Sequence, residues 1–236
     1  MTQARGFFER ALTIDPLSVG ALVGIANIDV MEGASLQTDD RTARLLAAET
    51  NAIKALSLAP DHALAHLLLG SVYLFTNRAA QGIAECEQAL VLDPNMADAH
   101  AARGLAKLLV GHAAETELHM LEALRLSPRD IFANAWMYCV GRAKIQLGVD
   151  AEAVDWLRRS VKANRNFPYA HLLLAAALGL FGELDEARTA AQAGLALNPS
   201  FTIRRLRFGA SSDNPTYLAG LERVCEGMRL AGVPEG

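Results

Sequence analysis

The chain is poor in several residue types on which common functions rest. Aromatic residues make up 6% of its 236 positions, cysteines number three, and the net charge is −4. An acidic balance leaves no overall positive field to attract nucleic acid or anionic lipid. Cys86, Cys139 and Cys225 are far apart and odd in number, which argues against a disulfide framework or a zinc knuckle and for small apolar residues in helix packing. The opening residues, Met-Thr-Gln-Ala-Arg-Gly, have no apolar core or cleavage site of a signal peptide. The longest apolar stretch, His171 to Phe181, falls well short of the roughly 20 residues a membrane span needs. These absences predict a cytoplasmic protein without membrane contact. No G-x-S-x-G, P-loop or dinucleotide glycine pattern occurs either.

What is abundant is leucine and alanine, the strongest helix formers, within a composition that is 52% hydrophobic. That predicts an all-α protein. Prolines closing short polar corners recur at Pro16, Pro60, Pro94, Pro128 and Pro199, and two consecutive spacings are 34 residues. The gap from Pro16 to Pro60 fits one such period plus ten residues, and that from Pro128 to Pro199 fits two periods plus three. Within residues 63–95, His66, Leu69, Gly70 and Tyr73 fall on one face of a first helix, and Gly82, Cys86 and Ala89 on the matching face of a second. Pro94 then ends that helix, because proline and the residue before it both resist continuation. Related sets recur: His100, Gly104, Met120, Ala123 and Pro128; Met137, Val140, Gly141, Leu157, Ser160 and Arg165; His171, Leu174, Ala175, Leu178, Ala187, Gly194 and Pro199. Leu22, Ile25, Ala26, Ala52, Ala55 and Pro60 form the first full set.

The 34-residue period and the W-x2-L-G-x2-Y and A-x3-F slots resemble the tetratricopeptide repeat (TPR) family. The resemblance implies an α-solenoid, a right-handed superhelix of helix–turn–helix repeats, each with a first helix A and a second helix B. One solenoid over 1–236 is expected: an N-terminal half-repeat at 1–17, five repeats over 19–199, an insertion near 33–42, and a C-terminal cap at 200–236. Ala4, Phe8 and Ala11 ahead of Pro16 read as a lone helix B. It leaves half a packing face open, as expected of the C-terminal part of a longer protein or of a face covered by a partner. Thr38 or Asp39 is placed to cap a helix through Arg41 to Leu58, a helix B extended by about two turns. Ser212-Asp-Asn-Pro215 signals the start of a closing helix from Thr216 to about Ala231, with Leu218, Leu221, Val224, Cys225 and Met228 on one stripe. That stripe is expected to cover the last helix B. The tail from Phe201 to Glu235 is also similar to the ends of TPR modules that follow class III adenylate/guanylate cyclase or winged-helix regulator domains. It implies the regulatory part of a bacterial signalling or transcription protein.

For chemistry the sequence offers little. His62 and His66, spaced i, i+4, are the one candidate metal pair, without a third ligand at a telling spacing. His66, His100 and His171 share one repeat slot, which points to packing. Carboxylate pairs such as Glu85/Glu87 fall on helix surfaces. Neither catalytic residues nor a cofactor is expected. Arg204, Arg205 and Arg207 alternate with Ile203, Leu206 and Phe208, which suits stems that cover the last repeat. Arg103 and Lys107 stand in slots usually apolar, with Glu115 and Glu117 as prospective partners. By repeat register the groove formed by helices A is lined by Asn27, Leu67, Ser71, Leu74, Leu105, Leu108, Tyr138, Arg142 and Tyr169. Asn27 and Arg142 are too far apart in the repeats for a carboxylate clamp, so an apolar groove anchored by Tyr138, Arg142 and Tyr169 is expected to hold a helix or extended segment. The expected occupant is a protein or peptide, or an upstream domain of the same polypeptide, with homo-oligomerisation left open.

Overall fold

The computed structural model of the chain describes residues 2–34 and 40–236, and these form thirteen helices and no strand. In order they are α1 (Thr2–Ile14), α2 (Val19–Ala34), α3 (Arg41–Leu58), α4 (Ala63–Phe75), α5 (Ala79–Leu92), α6 (Ala97–Leu109) and α7 (Ala113–Leu126). There follow α8 (Ala133–Gln146), α9 (Asp150–Ala163), α10 (Pro168–Phe181), α11 (Leu184–Leu197), α12 (Ile203–Phe208) and α13 (Pro215–Leu230). The helices divide into two compact units, Met1–Ala106 and Lys107–Gly236. Four of the expected helix pairs pack within one unit: α2–α3, α4–α5, α8–α9 and α10–α11.

In the first unit the lone helix α1 lies on α2. A Cβ added at Gly24 would come within 2.4 Å of the Phe8 ring, so the glycine is what lets α1 seat. The buried Asp29 of α2 pairs with Arg5 of α1 and, at 3.2 Å, with Arg44 of α3, while both arginines also reach Glu32. A carboxylate taken out of water needs such partners, because its desolvation otherwise costs several kcal/mol. The pair α2–α3 and the flank of α4 share one core built from Leu22, Ala26, Leu45, Ala52, Leu68 and Val72. Helix α3 has 18 residues against 14 in α5, one turn longer rather than the two expected. Thr38, Asp39 and most of the insertion lie outside the described residues.

The pair α4–α5 shows what sets the approach of two helices in a repeat. A Cβ at Gly70 would lie 2.9 Å from Cys86 Sγ and 3.1 Å from the Gly82 carbonyl oxygen, and one at Gly82 would lie 3.0 Å from the Gly70 carbonyl oxygen. Two backbones meet here with no side chain between them.

The second unit repeats the device. Leu157 of α9 fills the place of a Cβ at Gly141 of α8, and Leu172 of α10 that at Gly194 of α11. Ser160 Oγ, fully buried, donates to the Asn134 carbonyl at 2.7 Å. The three residues beyond the period are taken up before and at the start of α8, where six residues separate it from α7 and four separate α9 from α10.

The C-terminal segment differs from expectation in where it packs. Helix α13 starts as read: Asn214 caps it, its side-chain oxygen accepting from Thr216 N at 2.9 Å and Tyr217 N at 3.2 Å, and Pro215 takes the first position. It ends at Gly232, whose φ of +80° needs a glycine. However, α13 does not cover the last helix B. It lies across α10 and α8 and meets α11 only at the margin. The reason is compositional. The buried residues of α11 are three alanines and Gly194, and its other face carries Asp185, Glu186 and Arg188, so no second apolar face is offered. By contrast α10, PYAHLLLAAALGLF, is apolar around its circumference, with ten of its 14 residues buried. A helix apolar on every side has to be covered on every side. The buried stripe of α13 is correspondingly Tyr217, Gly220, Leu221, Val224, Cys225, Gly227 and Met228, with Leu218 at the rim.

Gly70→Val should lower stability by about 1–3 kcal/mol through overpacking against the Gly82 backbone. Thermal unfolding checks it, and an unchanged melting temperature would mean the two helices have room to part.

Candidate functional site

On the second unit, the side chains of α8 and α10 that α9 and α11 leave uncovered form one surface. Tyr138 and Arg142, one turn apart on α8, stand beside Tyr169 and Leu172 of α10. An edge-to-face series of aromatic rings runs along it. Tyr138 meets Phe167 at 5.5 Å between centroids, Phe167 meets Tyr169 at 5.8 Å, and Tyr169 meets Phe201 at 6.2 Å. Three of the expected groove residues, Tyr138, Arg142 and Tyr169, are thus brought together.

They are half-buried, because α13 lies across α8 and α10. Arg142 Nη2 donates to the Tyr217 hydroxyl at 2.6 Å, and the guanidinium sits 4.9 Å from the centre of the same ring. Gly220 rests on the side chain of Gln146, and a Cβ there would come 2.6 Å from its Cγ. Arg223 pairs with Asp150 at the start of α9. Further along, Gly227 crosses α10 so closely that its Cβ would lie 2.2 Å from the Ala176 carbonyl oxygen, while a Cβ at Gly179 would lie 2.6 Å from the Gly227 carbonyl oxygen. The entry to α13 is tied to the end of α6: Ser212 Oγ donates to the Leu109 carbonyl at 2.7 Å and Asn214 Nδ2 to the Val110 carbonyl at 3.2 Å. Between the surface and its cover only about 10 Å³ of cavity remains, lined by Tyr138, Arg142, Tyr169, Leu221, Val224 and Met228. That is scarcely room for one water. Burial pushes the Tyr138 phenol up to about 12.

The other groove residues lie apart from this surface. Asn27 is exposed. Leu67 is buried with Cys86 and Ala89 of α5 and Ala99 of α6, and Leu74 is buried over Gly82 of α5, so both are core residues. Ser71 is half-buried and donates to the Leu67 carbonyl at 2.9 Å. Leu105 is half-buried and Leu108 wholly buried. The residues missed from the sequence are those on the covering side, Tyr217, Gly220, Arg223 and Gly227. The signal that pointed to them was the all-round apolar face of α10.

The histidines are committed elsewhere. His66, His100 and His171 each set Nε2 against the carbonyl six residues back, those of Pro60, Pro94 and Arg165, at 2.8, 3.0 and 2.9 Å. A carbonyl only accepts, so each Nε2 carries a proton and donates. The shared slot is a staple from helix A to the corner before it, and it works even where Arg165 replaces proline. His66 Nδ1 also meets Glu85 at 2.6 Å, and the His62 ring caps α4 by accepting from Ala65 N. The pair His62/His66 is thus engaged with backbone and a carboxylate, and among the described residues no group of three His, Cys, Asp or Glu side chains converges. Lys107 pairs with Glu115 as expected, whereas Arg103 pairs with Glu87, and Glu117 with Lys144. In the tail, Arg207 pairs with Glu222 and Glu235, and Arg205 donates to the Ser200 carbonyl.

Burial pushes the Cys86 thiol up to about 12 and that of Cys139 up to about 11. At pH 8 both stay protonated and are poor nucleophiles. In the folded protein, iodoacetamide at pH 8 should label these two at least roughly tenfold more slowly than in denaturant, read by peptide mass spectrometry. Equal rates would show a thiolate-stabilising site.

A model of the tetratricopeptide repeat matches residues 63–96, the α4–α5 unit with its closing corner. No curated protein matches the chain in sequence. Among solved structures, the Cut9–Hcn1 hetero-tetramer of the APC/C aligns at a TM-score of 0.75 with 19% identity, over 88% of this chain and 39% of that one. PilF of Pseudomonas aeruginosa aligns at 0.60 with 22% identity, over 88% and 87%. YrrB, a TPR protein described as having an unusual peptide-binding site, aligns at 0.52 with 16% identity, over 82% and 93%. Among the described residues no helix is long and apolar enough to cross a membrane. The fold is therefore all-α, of the tetratricopeptide solenoid type, with a recognisable tetratricopeptide repeat at residues 63–96.

Proposed function

We propose that this chain is a non-catalytic protein-binding module that takes a helical segment on the α8–α10 surface carrying Tyr138, Arg142 and Tyr169. The observation that supports the reading is the seat of α13. A helix already lies on that surface, with its tyrosine on Arg142, its arginine on Asp150 and its glycines at the crossings. Helix-in-groove recognition uses such elements: an apolar stripe for affinity and a few polar anchors for register. The description of YrrB as peptide-binding is consistent with it. The partner is a separate protein or an upstream domain of the same polypeptide. The setting we propose, regulation within a bacterial cytoplasmic signalling or transcription protein, draws on the likeness of the Phe201–Glu235 tail to regulator-linked TPR modules.

Selection of a displayed peptide library on the immobilised full chain should enrich amphipathic helical sequences. Combining Tyr138→Ala with Arg142→Ala should weaken their capture at least roughly tenfold, as the loss of two anchor residues does, while helical circular dichroism is retained. Capture unaffected by the double substitution in a folded chain would refute this site.

A further inference from the structure

The α13 segment has two kinds of contact with the surface it covers, and they differ in quality. Against α10 the fit is close, with Gly227 on Ala176 and Gly179 under the Gly227 carbonyl. Against α8 and the start of α9 it is poor in one specific respect. Among the described residues six buried side-chain polar atoms have no hydrogen-bond partner, and three of them, Gln146 Nε2, Asp150 Oδ1 and Arg223 Nε, are at this one contact. A buried polar group left unpaired forfeits the water it gave up, so this half of the seat is under-satisfied while the apolar half is well packed.

We propose that α13 is a built-in competitor: it occupies the helix-binding surface of α8 and α10 in the resting chain and gives way to a partner helix that completes the polar half. This rests on the reading of that surface as a helix acceptor. The surface also specifies the partner. The residues of α13 that meet it are Tyr217, Gly220, Arg223, Val224 and Gly227. The partner is therefore an amphipathic helix with a hydroxyl-bearing aromatic at i, a small residue at i+3, a basic residue at i+6, an aliphatic one at i+7 and a small one at i+10. A side-chain amide or hydroxyl flanking the basic position would satisfy Gln146 and Asp150, which α13 does not do. The residues after α13 are stapled to α12, so that α13 is tethered beside the surface at its C-terminal end. Ile203 N donates to the Pro234 carbonyl at 2.9 Å and Arg204 N to that of Glu235 at 2.8 Å, and Arg207 and Arg229 both reach the Glu235 carboxylate.

Two measurements on the full chain test this. Native-state amide exchange should show α13 opening ahead of α10, with protection at least roughly tenfold lower over 216–230 than over 170–180. Equal protection would make α13 a permanent part of the core and overturn the competitor proposal whatever the surface binds. The second measurement uses a fluorescein-labelled peptide of residues 213–231 as the ligand. Gly227→Val, whose Cβ meets the Ala176 backbone, should evict α13 and let the peptide bind at least roughly tenfold more tightly than to the wild-type chain, where the tethered helix competes at millimolar effective concentration. If Gly227→Val does not fold, Arg223→Glu, which sets like charges against each other at Asp150, serves in its place. An evicted chain that fails to bind the peptide would overturn the helix-acceptor reading itself, a failure distinct from that of the first measurement. A wild-type dimer that the peptide dissolves would replace the partner helix by a second copy's α13 and overturn the proposal as stated.

Discussion

The structure depends on helices meeting where no Cβ intervenes. At Gly70 and Gly82, Gly141, Gly194, and at the crossing of Gly227 with Ala176 and Gly179, a side chain would occupy space that a backbone or a leucine already fills. Each contact trades the intrinsic cost of glycine in a helix, about 1 kcal/mol relative to alanine, for close backbone approach and dense packing on either side. Within the repeats these contacts fix the pairing of helix A with helix B. At α13 the same device is used for a helix that belongs to no repeat, and there it decides which surface of the second unit is covered.

Much of this was legible in the sequence. The 34-residue spacing of Pro60, Pro94 and Pro128, with Gly70 and Gly104 at the same offset and Gly141 three residues further on, marks the corners between helices within a residue or two. Asn214 and Pro215 announce the start of α13. The seat of α13 was harder to read because periodicity identifies which residues of a helix are apolar, not which neighbour they meet. The deciding information was a comparison between helices: α10 has more apolar surface than α9 and α11 can cover, and α11 has less than a capping helix needs. Arg142 and Tyr138 were identifiable as an unusual polar pair on a helix A, but their partner Tyr217 lies 75 positions away from Arg142, and nothing local links them.

The histidine slot illustrates how a repeated residue can carry a structural task that mimics a functional motif. His62 and His66 have the spacing of a metal pair, yet His66 shares its carbonyl staple with His100 and His171. A bond repeated three times at the same offset is a property of the repeat. Buried Asp29, held by Arg5 and Arg44, does for α1 what the staple does for the corners: it fixes one element to the next by a polar contact that only the correct packing satisfies.

The covering of the Tyr138–Arg142–Tyr169 surface depends on α13 lying across α8 and α10. A single cross-link tests that directly. With Gln146→Cys and Gly220→Cys in one chain, a Cβ at Gly220 lies 3.0 Å from that of residue 146, so a parting of about half an ångström reaches the Cβ–Cβ separation a disulfide spans. Mild oxidation of the folded protein should close this bond within the chain, seen as an intramolecular cross-link by mass spectrometry. Failure to form it, together with efficient closure between Gly220→Cys and a cysteine placed on α11, would show that α13 caps the last repeat instead.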